Sequence, residues 1–229
     1  DSGLRQEAQR IIAGRSEWQP ALLKVFEQWV NRKGSGDGKL IESLVLSLMS
    51  DKELRSIVGS TLLGPEVEID VKIQLLQTLS LLTEVPESFV PAITHCLHSE
   101  TSEIKHGALS VIRRLPNGSF DETLEAIASD EDEHDLTRVI AAELISHASG
   151  NLSDNVISFL FQQLAESGAL PLRKKGVAKA LGNIEIGAAN INFIFQLLNI
   201  FPNLGPLEFN EVIRPFIRFG SSDQGRRMS

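Results

Sequence analysis

Apolar residues recur along this chain at helical spacing, segment after segment. Pro20 to Asn31 carries Leu22, Leu23, Phe26 and Val30; Pro86 to Leu97 carries Phe89, Val90, Ile93 and Leu97. Ser153 to Ala165 carries Val156, Phe159, Leu160 and Leu164, and Asn190 to Ile200 carries Ile191, Ile194, Phe195 and Leu198. Steps of three and four place each set on one face of a helix. Two more helices are predicted, one from Asp51 to Leu62 behind an Asp cap and a short one from Asp121 to Ala128. Ser, Asp or Thr at the starts and Pro in first turns are helix-opening signals. Gly34-Ser35-Gly36-Asp37-Gly38 reads as a flexible loop, and no segment shows strand alternation bounded by hairpin signals.

A second set of helices shares one frame. Lys72, Lys105, Arg138 and Arg173 are separated by 33, 33 and 35 residues. Three positions after each stands Leu75, Ala108, Ala141 or Gly176; four after, Leu76, Leu109, Ala142 or Val177; seven after, Leu79, Ile112, Ile145 or Ala180. Arg5, Ala8 and Ile12 fit the frame upstream. Lys39 and Leu46 fit it less well, because Glu42 takes the small-residue position. Small residues three positions after the basic one let a neighbouring helix approach. Two alternating helix types at a fixed period form a unit too apolar to bury itself, and stacking such units makes a continuous core.

The period would also suit tetratricopeptide or ankyrin repeats, but the chain has no Tyr and no Thr-Pro-Leu-His turn. Asp70 before Lys72 and Glu103 before Lys105 resemble the acidic-then-basic start of the second helix of HEAT repeats. The expectation is an all-α, α-α superhelix, a right-handed solenoid of about six HEAT-like helical pairs, forming a single repeat domain over residues 1–229. Phe201-Pro202-Asn203-Leu204-Gly205-Pro206-Leu207-Glu208-Phe209-Asn210, with Pro215-Phe216 and Gly225-Arg226-Arg227, is similar to a segment of large exported planctomycete proteins. Leu4-Arg5-Gln6-Glu7-Ala8-Gln9-Arg10-Ile11-Ile12 resembles the opening helix of their repeat region. Those proteins join a membrane-bound-dehydrogenase-like propeller, HEAT repeats and a c-type haem domain. The likeness covers only the two ends. It implies a periplasmic or cell-envelope location and a role between redox domains. It places no cofactor here: haem attachment needs Cys-x-x-Cys-His, and Cys96-Leu97-His98 is not that.

Composition narrows the picture. The formal net charge is −8, which argues against a nucleic-acid partner, since phosphate neutralisation needs clustered Lys and Arg. One cysteine, Cys96, makes no internal disulfide. No apolar stretch approaches a membrane span. The first residues, Asp1-Ser2-Gly3, and a final helix start at Ser222 or Asp223 make the chain read as a piece of a longer one.

Candidate chemistry is sparse. The basic ladder could form a stripe for an acidic partner, or each member could pair with a neighbouring repeat. Arg173-Lys174-Lys175 could hold an anion or be a solvated face. Asp130-Glu131-Asp132-Glu133-His134-Asp135 is the densest charge run, but it lacks the glycine spacing of a calcium loop and suits a helix start. His95 and His98 share a helix face, with His106 opening the next; clustering of this kind is what a transition metal would need. Cys96 reads as a buried small hydrophobe. Trp29 is expected in the core and Trp18 at the surface, where Trp can anchor a partner. Phe209, Phe216 and Phe219 could pack on a continuation of the chain, and Asn117-Gly118-Ser119 and Asn151-Leu152-Ser153 match a glycosylation pattern. No catalytic, cofactor-binding or metal-binding set emerges. The expected function is a non-catalytic protein-interaction scaffold or spacer, its partner a protein or an adjacent domain of the same chain. The predicted partner surface is Gln74, Gln77, Arg113, Arg114, Glu143 and Lys179, on the frame helices. The rival is a substrate-handling or enzymatic helical module with a scattered site.

Overall fold

The computed structural model describes residues 18–31, 34, 38–115, 120–166, 171–184, 197, 199, 200, 202 and 204–221. The expected helix at Asn190 to Ile200, the N-terminal match to the frame and the glycosylation pattern at Asn117 lie wholly or mostly outside them. The described residues are helical, with no strand among them. The chain divides into two compact units, Asp1–Pro116 and Asn117–Ser229.

The first unit contains α1 (Gln19–Asn31), α2 (Gly38–Leu48), α3 (Lys52–Leu63), α4 (Ile69–Ser80), α5 (Val90–Leu97, entered through a 3-10 turn at Glu87–Phe89) and α6 (Ser102–Ile112). Asp51 caps α3 as expected, its Oδ1 accepting from the backbone N–H of Leu54 at 2.9 Å. Helices alternate in what they touch. The frame helices α2, α4 and α6 pack in succession, α3 packs on α5, and α5 packs on α6. Val71, Leu75, Leu76 and Leu79 of α4 are all buried, as are Ala108 and Leu109 of α6. In α4 this is the buried stripe that the frame predicts; in α6 Ile112 is only half-buried, and in α2 the frame positions Glu42 and Leu46 are half-buried while Ile41, Leu44, Val45 and Leu48 form the buried face. Burying each such Leu or Val stabilises by roughly 1.5–3 kcal/mol before chain entropy is subtracted. A close approach of α6 to α4 falls at Gly107, one residue before the position that the frame singles out. A Cβ there would lie 3.0 Å from both Cβ and Cδ1 of Leu76.

The second unit contains α7 (Asp121–Ser129), α8 (Asp135–Ser149), α9 (Asp154–Ala165), α10 (Pro171–Asn183), α11 (Pro206–Val212) and α12 (Arg214–Ser221). The frame helices α8 and α10 pack on each other, α7 packs on α8, and α9 packs on α10. Ser153 caps α9, its Oγ accepting from Val156 N–H, and α8 ends at Gly150 in the left-handed conformation (φ 70°), which suits glycine. Gly176 sits where the frame asks for a small residue: a Cβ there would lie 3.0 Å from Val139 Cγ1. Gly182 is tighter still, since a Cβ would come within 2.5 Å of the Glu211 backbone oxygen on α11.

Candidate functional site: grooves and polar pockets along the frame helices

The basic ladder points inward. Lys72 is 8% exposed and counts among the buried polar residues of the first unit. Lys105 is half-buried. In the second unit, Arg138 donates from Nε to the carbonyl of Ala128 at 3.1 Å and lays its guanidinium over the Phe159 ring, 3.7 Å from the centroid. Arg173 forks between two carboxylates, Asp135 at 3.0 Å and Glu166 at 3.1 Å. These two arginines take the structural reading of the ladder: they join helices of one unit and do not form an open stripe.

The acidic run is spent on turn geometry. Asp130 Oδ1 accepts from the Asp132 N–H, Glu133 Oε1 accepts from the His134 N–H, and Asp135 holds Arg173. The cap of α8 is His134, whose Nδ1 accepts from Leu136 N–H at 3.2 Å. The described residues contain no group of three or more His, Cys, Asp or Glu arranged to hold a metal. His95 and His98 are both exposed, on the last turn and the cap of α5.

Cys96 is buried, and desolvation pushes its thiol up to about 11, with nearby Lys72 pulling the other way. A thiol held that high is protonated at neutral pH and a poor nucleophile. Trp29 is in the core, its ring 5.9 Å from that of Phe26 and its Nε1 donating to the Gly34 carbonyl at 3.0 Å; Trp18 is exposed.

The expected partner surface separates by unit. In the first unit Gln77, Arg113 and Arg114 are exposed and Gln74 is half-buried. Gln74 and Gln77 line a groove of about 760 Å³ between the start of α2 and the outer side of α4, together with Lys39, Glu42, Asp70, Ile73, Ser80 and Leu81. Gly38 gives the Gln74 amide its place, since any side chain at 38 would occupy the same space. Arg114 is not part of the groove lining; its Nε donates to the Ser80 carbonyl at 3.4 Å, while its own carbonyl accepts from Val85 N–H at 2.9 Å. In the second unit Glu143 and Lys179 pair with each other at 3.5 Å, bridging α8 and α10. Both also belong to the inter-helix packing of that unit.

A second feature was not legible in the sequence. Asp135, Arg138, Phe159, Gln162, Gln163 and Glu166 line a cavity of about 460 Å³ between α8 and α9. Gln163 is buried, and its Oε1 has no hydrogen-bond donor among the described residues. The i, i+3, i+4, i+7 spacing of Phe159, Gln162 and Gln163 of α9 and Glu166 at its C-cap was the available signal, but that spacing also describes an ordinary core face. None of the described helices is long and apolar enough to cross a membrane. The chain matches no protein-family model, no curated protein and no solved structure.

Proposed function

We propose that the chain is a non-catalytic scaffold or spacer, an α-α superhelix of HEAT-like pairs whose frame helices line a partner-binding face. The observation that carries this reading is the groove along α4, where Gln74 and Gln77 face open space beside the half-buried Ile73 and a Leu81 that is 60% exposed. A large apolar side chain left that open beside two amides is what a partner surface offers. The succession α2, α4, α6 supports the stacked-pair architecture, because each frame helix has a frame helix as its neighbour. In this reading the module lies between redox domains in the cell envelope, as the resemblance of the chain ends to the exported planctomycete segment implies. The experiment is a pull-down from envelope extract with the chain and its flanking regions as bait. A redox or haem protein recovered with the full bait and lost on deleting the repeats supports a docking scaffold. Flanking domains that keep their activity without the repeats, with no protein recovered, reduce the segment to a spacer.

The cavity at Gln163 favours the second reading, a ligand-handling helical module. An unpaired buried amide oxygen costs roughly 1–3 kcal/mol, which a bound donor would relieve. A small-molecule panel scored by thermal shift, with Gln163→Leu as control, tests it. Shifts in the parent that vanish in the variant support ligand handling, and an unmoved parent removes the reading.

A further inference from the structure

On α9 an amide stands where the core face calls for an apolar side chain. Val156, Phe159, Leu160 and Leu164 are buried on this helix, and Gln163 is buried with them at 6% exposure. A leucine at that position would complete the face, whereas a buried amide needs hydrogen-bond partners. Gln163 Oε1 has none among the described residues. Gln163 also lines the cavity of about 460 Å³ between α8 and α9, a volume that suits a small molecule. Arg138, in the same lining, has the opposite need. Its Nε donates to the Ala128 carbonyl and its plane lies on Phe159, while its terminal N–H groups have no acceptor among the described residues. The cavity therefore carries an acceptor that lacks a donor and donors that lack an acceptor. All of these residues belong to the second unit.

Charge narrows the choice of ligand. Asp135 and Glu166 line the cavity and both hold Arg173, so the formal charges of Arg138, Arg173, Asp135 and Glu166 cancel. A carboxylate ligand would gain Arg138 but meet two like charges in the same lining. An ammonium would gain the carboxylates but meet Arg138, with Arg173 already on those carboxylates. A neutral group with an N–H beside a C=O answers both needs and meets neither repulsion. We infer that this cavity binds a small neutral molecule through a primary carboxamide, whose N–H donates to Gln163 Oε1 and whose carbonyl accepts from Arg138. A half-turn about the last bond of the Gln163 side chain exchanges its oxygen and nitrogen, so the oxygen can turn to the ligand. The inference rests on the ligand-handling reading and names the ligand class of that site.

The test uses the full chain and three probes that share one ring: benzamide, benzoate and benzylamine. Isothermal titration calorimetry at neutral pH reads each. Benzamide is expected to bind saturably and about tenfold more tightly than either charged probe. Gln163→Leu, close in volume, should weaken benzamide by about the same factor. Gln163→Glu should reverse the order and favour benzylamine, because a carboxylate accepts only and adds a negative charge. Circular dichroism checks that the helices persist in both variants. Benzamide bound no more tightly than the charged probes, benzamide binding untouched by Gln163→Leu, or an unchanged order in Gln163→Glu overturns the assignment. Benzoate or benzylamine bound more tightly than benzamide, and lost in Gln163→Leu, overturns the carboxamide and leaves the ligand-handling reading standing. A parent that binds none of the three also overturns the carboxamide; if the small-molecule panel leaves the parent unmoved as well, the ligand-handling reading falls with it.

Discussion

Arg138 and Phe159 form a stacked pair in which the guanidinium lies 3.7 Å from the ring centroid while Nε reaches back to the carbonyl of Ala128. One side chain thereby ties three helices, α7, α8 and α9. A cation over an aromatic face contributes roughly 0.5–2 kcal/mol, and a charged donor on a carbonyl somewhat more when shielded. Arg138 is half-buried, so solvent takes part of that. Arg138→Met is expected to cost about 1–2 kcal/mol in denaturant unfolding. Arg138→Lys should recover less than half, because an ammonium cannot stack as a plane. A double-mutant cycle with Phe159→Leu should return a coupling of about 0.5–1 kcal/mol, and a coupling of zero would show the stacking to be incidental.

Three glycines rank themselves by what a methyl group would meet. At Gly59, inside α3, a Cβ touches nothing within 4 Å, so Gly59→Ala should stabilise by about 1 kcal/mol through helix propensity alone. At Gly107 the Cβ presses on Leu76 Cβ, an atom anchored to its own backbone. There the propensity gain is offset by overpacking of ~1–3 kcal/mol, and the net effect should be destabilising. At Gly182 the Cβ meets a backbone oxygen at 2.5 Å, and Gly182→Ala should be the most damaging of the three. Melting temperatures of the three variants give the order, and Gly107→Ala above Gly59→Ala would sink the packing argument.

The single thiol makes stability depend on alkaline pH. Burial raises the folded pKa of Cys96 from 9.0 to about 11, so the folded state keeps a proton that the unfolded chain has lost. The stabilising term is full below about pH 9 and is lost as pH rises through about 11. Denaturant midpoints should therefore fall over that window more steeply in the parent than in Cys96→Val. Alkylation at neutral pH should be slow in the folded chain and fast in denaturant.

Two of the capped helices, α3 and α9, differ in the quality of the cap. Asp51 accepts from Leu54 N–H at 2.9 Å, whereas Ser153 accepts from Val156 N–H at 3.5 Å. Asp51→Ala should cost about 1 kcal/mol and Ser153→Ala less than half as much, because the longer contact is weak. Equal losses in urea unfolding would show that the distance does not set the strength of these caps.

Much of the helical layout was legible because it is written in local rules. Pro20 to Asn31, Asp51 to Leu62, Asp121 to Ala128 and Ser153 to Ala165 all coincide with helices to within a residue or two. Pro86 to Leu97 opens as a 3-10 turn before becoming α-helical, a detail that apolar spacing does not encode. The candidate site was only partly legible. Gln77, Arg113 and Arg114 are exposed as expected, but Glu143 and Lys179 look equally polar in sequence and turn out to be paired. The basic ladder shows the same gap. A lysine or arginine at fixed spacing says which helix turn it occupies, not whether a carboxylate, a carbonyl or a ring waits across the interface.

The sequence by itself determined that the described segments are helical, which face of the frame helices α4, α8 and α10 is buried, and that Cys96 and Trp29 lie inside, because burial follows apolar periodicity and periodicity is a property of one segment at a time. Only the tertiary structure decided the rest. It divided the chain into two compact units, put Arg138 over Phe159, turned Arg173 toward Asp135 and Glu166, left Gln163 Oε1 buried without a donor among the described residues, and opened a groove lined by Lys39, Gln74 and Gln77. Each of these depends on two helices meeting at a particular offset. That offset is set by the sum of many side-chain volumes across the interface, which no single segment carries.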